Sequence, residues 1–166
     1  MSIPRALLAA LCLTSLILTG CTKSGSSSSQ GNAQLRVVNG FSQASALDVT
    51  VDAKPVVSGL PFQSNSQYAG IETGTQTFIV TVTGTSTALV NTIYNISSST
   101  NYSYVVFGQQ TAVGALLLAK AFNDPGDGFF TLRFVNTAPG VGALDLYVTA
   151  PGADLSASAP SIANAP

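Results

Sequence analysis

The sequence predicts an all-β protein, an antiparallel β-sandwich. Two observations lead there. From residue 35 onward, short segments alternate apolar with hydroxyl-bearing side chains at the period of two that belongs to a half-buried strand. Clusters of Gly, Pro, Asn and Asp punctuate them, and no segment keeps a 3.6-residue apolar period over a helical length. Strands are expected at 35–39, 46–52, 75–83, 89–96, 102–108, 114–122, 129–136 and 144–149.

The strand at 75–83 shows the pattern most plainly. Phe78, Val80 and Val82 fall on one face, and Thr77, Ile79, Thr81 and Thr83 on the other. A hydroxyl-rich outer face keeps strand propensity while satisfying water, which suits a chain that is only 8% charged. Ala115-Leu116-Leu117-Leu118-Ala119 favours helix by propensity, but its shortness and its β-patterned flanks favour a buried strand. Turns are expected at Lys54-Pro55, Ser58-Gly59-Leu60-Pro61, Glu72-Thr73-Gly74 and Asp124-Pro125-Gly126-Asp127-Gly128. Eight Phe and five Tyr, with the Val and Leu of the strands, supply a core for an immunoglobulin-like sandwich, a fold of about one hundred residues.

The chain also repeats itself at an offset of 97 residues. Leu35-Arg36-Val37-Val38-Asn39 matches Leu132-Arg133-Phe134-Val135-Asn136, and Ala46-Leu47-Asp48-Val49-Thr50-Val51 matches Ala143-Leu144-Asp145-Leu146-Tyr147-Val148, without a gap. Two copies of one strand-loop-strand unit start about one small β-module apart. The second is either a new repeat begun and left incomplete, or a pair of strands that closes the first.

Leu35-Arg36-Val37-Val38-Asn39-Gly40, Ala46-Leu47-Asp48-Val49-Thr50-Val51-Asp52, Val56-Val57-Ser58-Gly59-Leu60-Pro61-Phe62 and Thr73-Gly74-Thr75-Gln76-Thr77, in that order, resemble the bacterial domain of unknown function family 4397. The resemblance runs from about Gln34 to Thr149. It implies a secreted or lipidated protein that carries the domain in tandem, and it brings no activity, substrate or cofactor.

Ahead of the β region, Arg5 precedes an apolar stretch over 6–17, too short for the roughly 20 residues a membrane-crossing helix needs. This is the layout of an export signal. Leu18-Thr19-Gly20-Cys21 resembles the lipobox of bacterial lipoproteins. That resemblance implies cleavage between Gly20 and Cys21, with diacylglycerol and a further acyl chain such as palmitate on Cys21. More than one chain suffices for stable anchoring. The expected membrane is the outer one in a Gram-negative cell, because Thr22 stands where an inner-membrane retention signal would place Asp.

The expected organisation is therefore a lipoprotein signal peptide over 1–20, a lipidated Cys with a Ser/Gly-rich tether over 21–33, and a β-sandwich repeat over 34–131. The start of repeat 2, or the closing strands of repeat 1, occupies 132–149, and an Ala/Pro/Ser-rich tail without a strand pattern, expected to be irregular, follows over 150–166.

Composition narrows the function. The chain has no His, and its two Cys are Cys12 in the signal and Cys21. Ser-His-Asp and Cys-His catalysis are thus excluded, and a net charge of -1 argues against nucleic acid as a partner. No cofactor is expected. Asp124 and Asp127 are weak candidates for Ca²⁺, with an Asp/Gly turn as the alternative. Arg36 and Asp48 recur at the same spacing as Arg133 and Asp145, which suggests structural pairs, with a ligand-anchoring Arg as the alternative. Tyr102 and Tyr104 share a strand face, as an aromatic platform or as core packing.

The function expected is that of a non-catalytic, lipid-anchored cell-envelope module for binding or structural display, held at the membrane by its N-terminal lipid. Its partner would be an unidentified envelope protein or polysaccharide. The alternatives are an adhesion or assembly component pairing through strand edges and, below it, a hydrolase of envelope polysaccharide.

Overall fold

The computed structural model describes residues 32–120 and 124–166. The signal-like segment, Gly20, Cys21 and nearly all of the tether lie outside the described residues. Ten strands follow in chain order: β1 (Ala33–Asn39), β2 (Ala46–Val51), β3 (Lys54–Pro61), β4 (Ala69–Ile71), β5 (Gly74–Val82), β6 (Ala88–Ile96), β7 (Asn101–Gln109), β8 (Ala112–Ala119), β9 (Leu144–Leu146) and β10 (Ile162–Ala165). A short 3₁₀ turn, Leu155–Ala157, precedes β10.

Two four-stranded sheets, in the order β4-β1-β7-β8 and β3-β2-β5-β6, form the sandwich, and β9 and β10 make a separate two-stranded sheet. Among the described residues all strand pairs are antiparallel except one. β1 runs parallel to β7, with Arg36 beside Ser103 and Val38 beside Val105. Alternation does what the sequence expects of it: on β1, Ala33, Leu35, Val37 and Asn39 point inward, and Gln34, Arg36 and Val38 point outward.

The core lies between the sheets, where Leu35 and Val37 meet Leu47, Val49, Phe78, Val80, Tyr104 and Val106. At its centre the rings of Phe78, Tyr94 and Tyr104 pack with centroids 5.1–6.1 Å apart, two of the three contacts being edge-on. Tyr102 and Tyr104 are thus core residues and not an exposed platform. The Tyr102 hydroxyl accepts the Ser97 N–H at 3.0 Å. The hydroxyls of Tyr104 and Thr92 are both buried, and neither makes a well-formed hydrogen bond. Burial pushes the Tyr104 phenol up to about 12, with the Thr92 hydroxyl opposing the shift.

Three expectations are corrected. Lys54-Pro55 and Ser58-Gly59-Leu60-Pro61 do not form turns but lie within β3. An edge strand tolerates Pro because the missing N–H need not join a ladder, and Gly59, at φ 66°, sits in an irregularity of the β2–β3 register. Residues 129–136 carry a strand pattern but form no strand: Arg133 and Val135 lie across the outward face of β1 and β7, where they line a groove and join no ladder. The tail over 150–166 is not wholly irregular, since it contains the 3₁₀ turn and β10.

The β9–β10 hairpin reproduces the β2–β3 pair in detail. Leu144 faces Ala165 and Leu146 faces Ile162, as Leu47 faces Leu60 and Val49 faces Val57. Two residues beyond Val57 stands Gly59, at φ 66°; two beyond Ile162 stands Asn164, at φ 53°. The Gly59 N–H donates to Asp48 Oδ1 at 2.7 Å, and the Asn164 N–H donates to Asp145 Oδ1 at 2.8 Å. Bulge, backbone conformation and acceptor are all duplicated.

Candidate functional site

The outward face of β1 and β7 presents Arg36, Val38, Ser103 and Val105, next to Leu118 of β8. Val105 points away from the core yet is only 7% exposed. It lines a groove of about 510 Å³, walled on one side by Arg36, Val38, Gly40, Tyr68, Ser103 and Leu118, and on the other by Lys120, Arg133, Val135 and Thr137. A second groove of about 540 Å³ continues from it past Arg36, Val38 and Gly40 toward Phe62, Ser64 and Thr137.

The duplicated motif builds this groove. Arg36, Val38 and Gly40 are the outward-facing residues of the first copy, and Arg133, Val135 and Thr137 stand at the equivalent positions of the second. The two copies approach closely. A Cβ on Gly40 would lie 3.2 Å from the Val106 carbonyl oxygen and 3.4 Å from Thr137 Oγ1, a tight fit that the first copy's Gly avoids. The Gly40 N–H is spent on the same Val106 carbonyl at 2.8 Å.

Each repeated polar residue has a local task. Asn39 Oδ1 accepts the Phe41 N–H at 2.9 Å, and Asn136 Oδ1 accepts the Ala138 N–H at 3.1 Å. Both close an Asx turn at the end of the motif's first segment. Asp48 Oδ1 also accepts the Thr83 hydroxyl at 2.8 Å, tying β2 to the end of β5. Arg36 donates Nε–H to Ser103 Oγ at 2.8 Å and lies 5.4 Å from the Tyr68 ring centroid, a cation–π contact. Arg133 donates from Nη2 to the Ala119 carbonyl at 2.9 Å.

The expected Arg36–Asp48 and Arg133–Asp145 pairs are therefore not formed. β1 and β2 belong to different sheets, so Arg36 is turned to the outer face while Asp48 serves the β2–β3 bulge. Asp145 has the same bulge task, and Arg133 goes to the groove. Of the alternatives raised for these residues, the Asp is structural and the Arg lines a cavity. The roles of Ser103, Tyr68 and Lys120 were not legible, because nothing in their local sequence marks residues that only sheet pairing and loop docking bring to Arg36.

Asp124 Oδ1 accepts the Gly126 N–H at 3.0 Å, an Asx turn, and both Asp124 and Asp127 are exposed. Among the described residues no three His, Cys, Asp or Glu side chains cluster as metal ligands. Lys54 binds Glu72 at the surface, where the carboxylate raises the ammonium pKa.

Fold and groove define a β-sandwich module whose distinctive feature is a seam between two copies of one motif. The chain belongs to the family described as a domain of unknown function, DUF4397, whose model matches residues 33–147. That match begins with β1 and ends just past β9, so it takes in the first copy of the motif and all but the last residue of the second. No curated protein matches the chain.

Proposed function

We propose that the protein is a lipid-anchored, non-catalytic module of the bacterial cell envelope that acts by binding or structural display, with the seam groove as its binding surface. The observation that carries the binding role is the groove itself: apolar floor residues, hydroxyls and cations converge on one cavity, the usual composition of a ligand site. The anchor rests on the export-signal layout and the lipobox resemblance at Gly20-Cys21. A polysaccharide hydrolase needs two carboxylates facing a cleft at roughly 5 to 10 Å. The groove walls hold three cations and no carboxylate, which ranks the binding role above it.

Two measurements test the proposal. Labelled palmitate is expected in the wild-type chain and not in Cys21→Ala, and label retained by the variant overturns the anchor. A pull-down of the lipidated protein from its own envelope is expected to recover a partner that Val105→Asp, at the groove floor, releases while the melting temperature shows the variant folded. A partner held equally by the variant overturns the groove as the binding surface.

A specific observation favours assembly as the second reading. Phe129, Phe130, Leu132, Val141, Val148 and Leu155 are exposed apolar side chains. β8 is a sheet edge without a charged residue. Sedimentation of the purified protein across a concentration series distinguishes a self-associating chain from a monomer.

A further inference from the structure

We propose that the seam groove binds an oxyanion, the carboxylate or phosphate ester of a sugar-sized ligand, between Arg36, Lys120 and Arg133. The inference rests on the binding role above and names the chemistry of that site.

The charge distribution carries it. The described residues of this charge-poor chain include four cations, Arg36, Lys54, Lys120 and Arg133. Three of them line one groove, and the fourth, Lys54, is engaged by Glu72 elsewhere. Like charges brought together repel, and a fold that gathers them around a cavity gains when an anion fills it. No Asp or Glu lines that cavity.

Geometry adds orientation. Arg36 is held at Nε by Ser103, its Cζ lies over the Tyr68 ring, and no protein acceptor among the described residues takes its Nη groups. A guanidinium fixed at one corner presents a preorganised fork to a carboxylate or phosphate. Arg133 is oriented in turn by the Ala119 carbonyl, one residue before Lys120. Val38, Val105, Leu118 and Val135 make the surroundings apolar, which lowers the local dielectric and strengthens each charge contact. The cavity of about 510 Å³ lies within the range of small-ligand pockets, ~300–1,000 Å³. The repeat explains the pairing of the two arginines, since the same outward position of each copy faces the same seam.

Calorimetric titration of the full chain, purified in a non-ionic detergent, with glucuronate, glucose 6-phosphate and glucose tests the proposal. Glucuronate and glucose 6-phosphate separate the carboxylate and phosphate sources, and glucose is the neutral control. At least one anion is expected to bind, glucose is not, and binding should weaken as salt rises. Lys120→Gln/Arg133→Gln, both at exposed positions, should lose at least tenfold in affinity with an unchanged melting temperature. Arg36→Gln should lose as much, its melting temperature reporting the fold. Failure of both anions, equal binding of glucose, or full affinity in the double variant overturns the oxyanion site. If both anions fail while the envelope pull-down still yields a partner that Val105→Asp releases, only the oxyanion assignment falls and the binding role stands.

Discussion

Leu35 and Leu132 occupy the same place in one repeated motif, yet the first is fully buried and the second is 50% exposed. Val51 and Val148 differ in the same way, at 3% and 50%. Two short-range hydrogen bonds of the motif do not differ. Asn39 and Asn136 close the same turn, and Asp48 and Asp145 take the N–H of the same bulge. Hydrogen bonds between near neighbours or across one hairpin need only the local chain, so both copies make them. Burial needs a facing sheet, and the first copy has one: β1 and β2 lie on opposite sides of the core. Among the described residues, β9 pairs only with β10.

The largest contrast should come from apolar truncation. Leu47→Ala removes a fully buried side chain and should cost about 2–5 kcal/mol. Its counterpart Leu144→Ala, only half-buried, should cost below about 1 kcal/mol. Urea unfolding of both measures the difference, and equal losses would mean the second copy is sealed in solution.

Backbone positions sharpen the contrast further. A Cβ on Gly108, at φ 112°, would lie 2.3 Å from the Ala112 carbonyl oxygen, so the β7–β8 hairpin must shift to accept it. Gly108→Ala is expected to cost about 2–3 kcal/mol. Gly140, at φ 78° between the second copy's two segments, has open space around its Cβ position, and Gly140→Ala should cost about 1 kcal/mol.

Asp48→Ala should cost about 1–2 kcal/mol, since it frees the Gly59 N–H and the Thr83 hydroxyl together. Asp145→Ala loses a single exposed bond and should cost under about 0.5 kcal/mol. Thermal melting resolves the first from wild type and not the second.

The smallest expected effect is confined to alkaline pH. The Tyr104 phenol titrates near 12 in the folded protein, against 10.0 for the free group. The unfolded chain therefore loses this proton first. The stability it contributes is complete below pH 10 and is lost as pH rises toward 12. Tyr104→Phe keeps the ring packing, removes a buried hydroxyl without a well-formed hydrogen bond, and should unfold at a higher pH than wild type.

Alternation made most of the sandwich readable. β1, β2, β5, β6 and β7 fall within a residue or two of their expected bounds, because each has one face against the core and one in water. β3 was hidden by Pro55 and Gly59, residues that mark turns in most settings but here occupy an edge strand and its bulge. Residues 129–136 show the reverse error, a strand pattern with no strand. Of the candidate site, the repeat marked Arg36 and Arg133 as a matched pair of positions. It offered the wrong partners, since it could not say that β1 and β2 belong to different sheets.

By itself the sequence determined the all-β class and the duplicated motif, because period-two patterning and self-similarity are legible within short stretches of chain. Only the tertiary structure decided that β1 runs parallel to β7, that the second copy's first segment lies along the first copy's outer face, and that three cations from distant positions meet in one groove. Those outcomes depend on which surfaces find each other to bury, and that information is spread over the whole chain.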